Sequence, residues 1–322
     1  MRSLIKDVFL KYFKGDILKN LDDSAILENI SEKCNISFTT DSYIVNPLVF
    51  LGGDIGKLSV CGTVNDISVT GASPLFMSCS IIVEEGLETS VLQKVTSSIS
   101  KTAAQAGVEI VTGDFKVVEK GKADRLFINT SAIGISDKNI RLGKKRINIG
   151  DRVIINGYIG DHELAVLLAR KEFNIQADIA SDCAALNGLI GDILQKTGSI
   201  KFMRDPTRGG VATTLNEIVE NSSFGIRLYE KEIPVSQQTK ALCEMLGFDP
   251  LYLANEGKVI VICEKKSAED ILSIMKKHRY GKHSKIIGEV VKDPPGKVIL
   301  NTVGGSYRIV EMLSGSQLPR IC

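Results

Sequence analysis

Apolar residues recur along the chain with two periods, one typical of helices and one typical of strands. Near the N-terminus they follow a helical spacing and predict a first amphipathic helix, with one face formed by Leu4, Ile5, Val8, Phe9, Tyr12 and Phe13. A second apolar stripe over residues 92–106 predicts a long helix that ends at Gly107. A glycine-rich turn at residues 52–56 predicts another helix, which ends near residues 71–74. Short apolar runs predict strands at residues 24–27, 36–45, 75–83, 108–112 and 126–135.

A basic, polar stretch at residues 137–150 is the best candidate for a linker. After it, the pattern predicts strands at residues 152–157, 225–229, 258–263, 285–290, 298–300 and 307–310. It predicts helices at residues 161–170, 183–196, 210–221, 237–246 and 268–277. We therefore expect an α/β domain over residues 1–148, an α+β domain over residues 149–312 and a flexible tail over residues 313–322.

Composition excludes several classes of protein. The 322 residues are 43% hydrophobic and 24% charged with a net charge of +2, which is typical of a globular protein. Basic residues are spread along the chain, which argues against a nucleic-acid-binding surface. The sequence shows no apolar stretch of membrane-spanning length and no apolar signal core, so we expect a cytoplasmic protein. Seven scattered cysteines without a CxxC pair argue against a disulfide framework or a structural zinc site.

Four aspartates are predicted to lie on loops at element ends and outside the periodic segments, where metal ligands often collect. They are Asp41, Asp66, Asp114 and Asp205. Carboxylates from separate loops hold hard cations such as Mg²⁺, and substrate phosphates complete the coordination. Each aspartate taken alone also fits a turn residue or a helix cap, the commoner role of a loop aspartate. The sequence has no Walker A loop and no GxGxxG segment, so a bound nucleotide would use another arrangement.

Three further features could handle phosphates or protons. Residues 204–210 combine two arginines, an aspartate, a threonine and two glycines before a predicted helix. Such a helix entry attracts phosphate, although the same pattern fits solvated arginines. Lys116, two residues after Asp114, could reach a phosphate or be an ordinary surface lysine. Glu256 precedes an apolar strand and fits either a general base or a turn residue.

The last residue of the sequence, Cys322, is a candidate carrier of a substrate. A thiolate is nucleophilic, and a chain end is usually accessible unless it is packed down. Cys322 could therefore be loaded at one active site and processed at another. It could also be incidental, because a single unpaired cysteine proves little.

These motifs resemble those of the hydrogenase maturation factor HypE family, part of a larger group of ATP-using enzymes similar to aminoimidazole ribonucleotide synthetase and selenophosphate synthetase. The similarity runs in order over nearly the whole chain, through residues 39–47, 52–58, 61–66, 112–114, 203–210, 252–257 and 317–322. The Pro-Arg-Ile-Cys ending is specific to HypE within the group, whereas the aspartate motifs are shared more widely. HypE sequences usually carry a glycine-rich segment with a histidine before the first helix, and this sequence departs from that pattern.

The resemblance implies a two-domain PurM-like fold, α/β followed by α+β, whose N-terminal sheet pairs with that of a second subunit in a homodimer. It implies that ATP binds in the cleft between the domains. It assigns Mg²⁺ to Asp41, Asp66 and Asp205. It assigns ATP binding to Asp41, Asn65, Asp66, Asp114, Lys116 and Asp205.

The resemblance also implies a reaction, the ATP-dependent dehydration of a carbamoyl group carried as a thiocarboxamide on Cys322. A HypF-type carbamoyltransferase would load the thiol, and phosphoryl transfer would make the amide oxygen a leaving group. Glu256 and Lys116 would handle protons and phosphate, leaving a thiocyanate. A HypC–HypD complex would receive the cyano group as the cyanide ligand of iron in a [NiFe]-hydrogenase. Two rivals stay open: a related synthetase that acts on a diffusible substrate, and a scaffold that presents Cys322 and uses ATP at most as a switch.

Overall fold

The computed structural model describes residues 22–313, except residues 29, 31, 172–174, 176 and 197. The predicted first helix at residues 4–13 and the tail that carries Cys322 lie outside the described residues. In the described part, a large sheet organises each half of the chain, and helices pack on both. The mixed α/β architecture in two units is therefore confirmed. No helix among the described residues is long and apolar enough to cross a membrane.

The N-terminal half is built on a five-stranded sheet. Its strands are β1 (Ala25–Leu27), β2 (Cys34–Tyr43), β5 (Ser73–Glu84), β6 (Glu109–Val118) and β7 (Leu126–Asp137), and a separate ribbon pairs β3 (Val49–Phe50) with β4 (Gly53–Asp54). The strand order is β1-β2-β7-β5-β6. Neighbours are antiparallel except β5 and β6, which are parallel and joined through helix α2 (Thr89–Ala106). Because β6 comes last in the strand order, it is an edge strand.

Helix α1 (Ile55–Val69) is buried along almost its whole length because it lies between the N-terminal sheet and the second half of the chain. Asp54 caps its N-terminus, since its Oδ1 accepts the backbone N–H groups of Gly56 (2.7 Å) and Lys57 (3.1 Å). Gly56 also permits a close crossing with α2, because a Cβ there would lie 2.5 Å from the Val95 carbonyl oxygen. One helix thus presents side chains to both halves.

The N-terminal sheet has one covered and one open face in the described part of the chain. Helices α1 and α2 pack on the covered face, and α2 ends as predicted at Gly107, which has φ 70°. The other face carries five apolar side chains that are 40–45% exposed, and we call this set the outer sheet face. Its members are Phe38, Phe76, Ile82, Ile133 and Ile135. The set is contiguous, because Ile133 pairs with both Phe38 and Phe76.

The C-terminal half is built on a seven-stranded sheet covered on both faces. Its strands are β8 (Arg152–Ile155), β9 (Ile200–Arg204), β10 (Gly225–Tyr229), β11 (Ile260–Cys263), β12 (Lys285–Val291), β13 (Val298–Asn301) and β14 (Tyr307–Val310). They are ordered β14-β13-β10-β12-β8-β11-β9. The helices are α3 (Asp161–Ala169), α4 (Asn187–Lys196), α5 (Gly210–Val219), α6 (Gln237–Leu246) and α7 (Ala268–Lys277), with 3-10 turns at Lys144–Arg146, Glu230–Glu232, Pro250–Tyr252 and Lys265–Ser267. One core contains α5 and the other contains α4 and α7.

Strand β9 is not predicted by the apolar pattern of the sequence. Two of its five residues, Lys201 and Arg204, are charged, so the segment does not read as an apolar run. The strand tolerates Lys201 because its Nζ forms an ion pair with Glu264 Oε1 at 2.6 Å. A tertiary contact therefore decides the local structure at this edge of the sheet.

The helix predicted at residues 183–196 was placed too early, since α4 begins only at Asn187. The backbone N–H of Leu186 donates to Asn65 Oδ1 (2.8 Å), and Asn65 lies on α1. This contact holds the preceding residues in a non-helical segment against the other half of the chain.

Candidate active site

Four carboxylates from separate elements come together where the two halves meet. Asp41 lies on β2, on the face that α1 covers, because it pairs with the buried Thr130 of β7. The prediction of a loop position is wrong for Asp41 and Asp66, because Asp41 lies within β2 and Asp66 lies within α1. Asp205 directly follows β9, and Glu256 lies in the turn before β11. Asp205 and Glu256 are only 7% and 5% exposed. This acidic cluster contains the three predicted metal ligands and the predicted base.

Each carboxylate of the acidic cluster has a pKa above its ordinary value, and burial is the largest cause in every case. Burial and then the charge of Asp23 raise the pKa of Asp205 to about 7. The pKa values of Asp66 and Glu256 are raised well above their usual range, by burial and next by the charge of Asp205. Crowded carboxylates resist ionisation together, and a nearby positive charge favours their ionised form. The cluster is therefore electrostatically suited to a cation.

The donor set fits a hard divalent ion that is bound together with phosphate. Among the described residues, no group of three or more His, Cys, Asp or Glu side chains is placed to hold a metal ion by itself. Mg²⁺ does not need one, because it is usually held by one or two carboxylates and substrate phosphates. Asp66 Oδ2 accepts a hydrogen bond from the Thr39 hydroxyl (3.0 Å), and Asp41 Oδ1 accepts the backbone N–H of Ser42 (2.8 Å). These bonds orient both carboxylates.

The segment at residues 204–210 joins the acidic cluster to the turn that leads to Glu256. The Arg204 guanidinium lies 3.0 Å from carboxylate oxygens of both Asp23 and Glu217, so it is engaged within the protein. Gly210 has φ 61°, and a Cβ there would lie 2.4 Å from the Leu253 carbonyl oxygen. The start of α5 therefore packs directly on the Leu253 backbone, which fixes Asp205 beside the Glu256 turn.

Asn65, which was expected to line the ATP cleft, is 1% exposed. Its described hydrogen bonds all go to backbone groups in the second half of the chain. The structure thus places Asn65 next to the cluster as a bridge between the halves. Its expected contact with ATP stays a prediction.

Asp114 and Lys116 lie on the edge strand β6, away from the acidic cluster. Lys116 Nζ forms an exposed ion pair with Asp114 Oδ1 at 3.1 Å. Lys116 pairs across the ladder with Ile82, a member of the outer sheet face, and cross-strand partners share a face. Within one chain, Asp114 and Lys116 therefore lie on the opposite face of the sheet from Asp41.

Asp182 belongs to the site and was missed by the sequence analysis. Its Oδ1 accepts the backbone N–H of Glu256 (3.1 Å), and its Oδ2 lies 2.8 Å from Lys258 Nζ. The side chains of Asp182 and Lys258 are 5% and 10% exposed. No spacing or motif in the sequence marks Asp182, because its partners lie more than seventy positions away.

A cavity of about 310 Å³ opens beside Asp182 and Gly257. Its charged lining residues are Lys57, Asp161, Asp182, Lys258, Arg279 and Lys282. Positive charges outnumber negative ones, so the cavity favours an anionic or polar group close to Glu256. A larger cavity of about 430 Å³ lies between residues 137–146 and α4 and contains none of the candidate site residues.

Comparison with known proteins identifies the family. Residues 21–136 match the AIR synthase related protein N-terminal domain, and residues 148–301 match the corresponding C-terminal domain. Carbamoyl dehydratase HypE of Azotobacter vinelandii is 42% identical over 322 residues, 100% of this chain and 94% of that protein. Carbamoyl dehydratase HypE of Escherichia coli K12 is 40% identical over 325 residues, 100% of this chain and 96% of that protein.

Solved structures agree with these sequence comparisons. A crystal structure of a HypE–HypF complex contains a chain 48% identical to this one, with a TM-score of 0.90, covering 96% of this chain and 99% of that chain. A crystal structure of HypE in complex with ATP is 43% identical with a TM-score of 0.86, covering 100% of this chain and 96% of that chain. AaThiL complexed with AMPPCP and TMP is 18% identical with a TM-score of 0.71 and shares the fold. The resemblance found in the sequence is confirmed, and the chain belongs to the HypE family within the AIR synthase related proteins.

Proposed function

We propose that this protein is an ATP-dependent carbamoyl dehydratase that acts on a thiocarboxamide carried by Cys322. The observation that carries the proposal is the acidic cluster of Asp41, Asp66, Asp205 and Glu256, gathered from both halves with every pKa raised. It combines candidate ligands for a metal–phosphate group with one buried base. The names of the relatives, and the ATP complex of one of them, support the same reaction.

The chemistry removes the elements of water from S–C(=O)–NH₂. Bound ATP with Mg²⁺ would supply the γ-phosphoryl group that leaves with the amide oxygen, so the products are S–C≡N, ADP, inorganic phosphate and one proton. Asp41, Asp66 and Asp205 would hold the cation. Burial raises the pKa of all three carboxylates, and a cation bound beside them would favour their ionised form.

Glu256 is the candidate base for the amide protons. Its pKa is raised well above the ordinary value, first by burial and then by Asp205, Asp182 and Asp41. A carboxylate with a raised pKa is a stronger base than an exposed glutamate.

The last described residues lie close enough for Cys322 to reach the cluster. The Tyr252 hydroxyl donates to the Glu311 carbonyl oxygen (3.0 Å), and Tyr252 is four residues before Glu256. The eleven residues from Glu311 to Cys322 can span at most about 40 Å when extended. Glu311 is separated from Glu256 by no more than four residues and one tyrosine side chain. The extended tail is longer than that separation, so Cys322 could reach Glu256.

A second copy of the chain fits the outer sheet face. Five apolar side chains there are 40–45% exposed in the described structure, and a homodimer would bury them. Lys116 and Asp114 project from the same face and would then lie in the interface, next to the partner sheet. In such a dimer Lys116 could approach the acidic cluster of the partner subunit. Within its own chain it lies on the opposite face of the sheet from Asp41.

Further partners follow from the chemistry of the carried group. A HypF-type carbamoyltransferase would load Cys322, supported by the HypE–HypF complex of a relative. A HypC–HypD complex would take the cyano group for iron in hydrogenase maturation. The absence of a membrane-spanning helix in the described residues is compatible with work in the cytoplasm.

Mass spectrometry of the C-terminal peptide tests the proposal. Incubation with a HypF-type partner and carbamoyl phosphate should add a carboxamide to Cys322, and ATP with Mg²⁺ should then remove the mass of one water. Cys322→Ala should show neither change, and Glu256→Gln should keep the carboxamide. Dehydration without ATP, or product from Cys322→Ala, would overturn the proposal.

Two other results would support the alternative functions. Turnover of a diffusible substrate by a tail-deleted chain would support the synthetase alternative. Binding of nickel or iron at Cys322 without nucleotide would support the scaffold.

A further inference from the structure

We propose that Asp182 is a positioning residue for Glu256, an inference that rests on the proposed role of Glu256 as the base. Asp182 lies in the non-helical segment before α4, and Glu256 lies in the turn before β11. Asp182 Oδ1 accepts the backbone N–H of Glu256 (3.1 Å), and Oδ2 accepts that of Gly257 (3.3 Å). One carboxylate thus binds two successive peptide groups of the turn.

The Glu256 backbone is held from both sides. Asp182 binds its N–H, while the Asn65 Nδ2 and the backbone N–H of Ala184 each lie 3.4 Å from its carbonyl oxygen. When the peptide groups before and after one residue are fixed, the direction of its Cα–Cβ bond is fixed as well. The side chain of Glu256 can then vary only through its own rotamers.

Gly257 shows how closely the two segments approach. A Cβ at this position would lie 1.9 Å from the carbonyl oxygen of Asp182 and 3.1 Å from the backbone N of Ala184. The two backbones are therefore in direct contact at Gly257. Asp182 is the polar side chain that connects them at this point.

Lys258 makes the buried charge of Asp182 tolerable. Its Nζ lies 2.8 Å from Asp182 Oδ2, and both side chains are almost enclosed. Burial is the largest single influence and raises the pKa of Asp182, but the charge of Lys258, the charge of His162 and the hydrogen bonds from Lys258 and the Glu256 backbone together keep it below the ordinary value. The carboxylate can therefore act as an acceptor for three donors at once, two backbone N–H groups and one ammonium group.

An asparagine at position 182 would keep the shape and remove one acceptor. Its amide group would face a backbone N–H or the Lys258 ammonium, both of which are donors. The turn would lose one of its two anchors without a change in side-chain volume. Glu256 would then be held less firmly, whereas Asp41, Asp66 and Asp205 make no described hydrogen bond to Asp182.

The test is the steady-state kinetics of Asp182→Asn in the full-length protein loaded by its carbamoyltransferase. We expect kcat to fall by at least about tenfold, because small displacements of a catalytic group cost at least this much. The KM for ATP should stay within about twofold of wild type, since the nucleotide is assigned to other residues. Hydrogen exchange at the amides of Glu256 and Gly257 should increase, and exchange elsewhere should not.

Asp151→Asn is the matched control. Asp151 is also buried, at 5% exposure, and its Oδ2 also accepts a backbone N–H, from Asn148 at 2.8 Å. It precedes β8 and lies outside the acidic cluster. Asp151→Asn should therefore keep wild-type kcat. An equal fall of kcat in both variants would show general destabilisation and overturn the inference.

Lys258→Gln gives a second route if Asp182→Asn does not fold. It leaves both backbone hydrogen bonds possible but removes the charge that supports Asp182, so kcat should fall and exchange at residues 256–257 should rise together. An unchanged kcat in either folded variant, or a KM for ATP that rises with the fall in kcat, overturns the inference.

Glu256→Gln separates the inference from the proposed function. Wild-type turnover in Glu256→Gln would refute the role of Glu256 itself. If Glu256→Gln is inactive and Asp182→Asn is fully active, the proposed function stands and only the positioning role fails. If Asp182 acts only through the Glu256 carboxylate, adding Asp182→Asn to Glu256→Gln should cause no further loss of kcat.

Discussion

Asn65 donates a hydrogen bond from Nδ2 to the carbonyl oxygen of Glu256 (3.4 Å), so a side chain of the N-terminal half holds the backbone of the candidate base in the C-terminal half. The same Nδ2 donates to the Ala184 carbonyl oxygen (3.1 Å), and Oδ1 accepts the backbone N–H of Leu186 (2.8 Å). A single buried amide therefore connects α1 to the Glu256 turn and to the segment that precedes α4. The candidate site depends on how firmly the two halves are joined.

Asn65→Ala should weaken both stability and turnover. It removes three hydrogen bonds to backbone groups, so we expect the free energy of unfolding to fall by about 3 kcal/mol. The kcat should fall as well, because the Glu256 turn loses its support. Asn216→Ala is the control: it removes bonds to the carbonyl oxygens of Ala212 and Val310, both 2.9 Å and both within the C-terminal half. Chemical denaturation measures the stability, and a turnover assay measures kcat. An Asn65→Ala protein with wild-type kcat would show that Asn65 does not support the Glu256 turn.

Gly257→Ala should be strongly destabilising. Its Cβ would lie 1.9 Å from the Asp182 carbonyl oxygen, so one of the two backbones must move. We expect a loss of about 3 kcal/mol in the free energy of unfolding, at the upper end of ordinary overpacking. Gly191→Ala on α4 is the matched control, because nothing lies within 4 Å of its added Cβ and alanine favours a helix by up to about 1 kcal/mol. Equal stability of the two variants would contradict the close approach at Gly257.

His162 should make the protein sensitive to acid. It is fully buried, its Nδ1 lies 2.8 Å from Ser181 Oγ, and burial lowers its pKa to about 4. An unfolded histidine titrates near 6.5, so between these two values the unfolded chain binds more protons and stability falls as the pH falls. The loss amounts to roughly 3 kcal/mol by the lower end of the window.

His162→Gln removes this contribution and should show a shallower decline of stability between about pH 6.5 and pH 4. Denaturation at a series of pH values measures the slope. His283→Gln serves as the control, because His283 is exposed and stacked on Tyr158 with a centroid distance of 4.3 Å. A His162→Gln slope identical to wild type would show that the buried imidazole does not contribute.

Ile133→Asp should separate the proposed homodimer. Ile133 is 42% exposed and lies between Phe38 and Phe76 at the centre of the outer sheet face. A carboxylate placed there would be buried without a partner, so the dimer dissociation constant should rise by at least roughly a hundredfold. Light scattering measures the mass, and Met245→Asp, at a 68% exposed residue of α6, should leave it unchanged. A monomeric wild type, or a dimeric Ile133→Asp, rules out this interface.

The local pattern of apolar residues was enough to predict the bounds of those elements whose periodicity and end signals agree. Strands β10 and β14 and helices α6 and α7 have the predicted bounds, and α2 ends at the predicted glycine. The pattern missed the ribbon of β3 and β4 and ended β6 at residue 112 instead of Val118. It also failed at β9 and at the start of α4, where a contact from a distant residue decides the backbone. Both lie beside the candidate site.

The sequence by itself determined the family, the mixed two-unit architecture and the carboxylates Asp41, Asp66, Asp205 and Glu256, because side-chain periodicity and motif spacing are local properties of the chain. Only the tertiary structure decided which groups support them. Asp182 binds the turn of Glu256 across more than seventy positions, and Lys116 lies on the opposite sheet face from Asp41. Burial raises the pKa of every carboxylate in the cluster, and repulsion by other carboxylates adds to it at Asp66, Asp205 and Glu256. Both effects exist only once distant segments have been brought together.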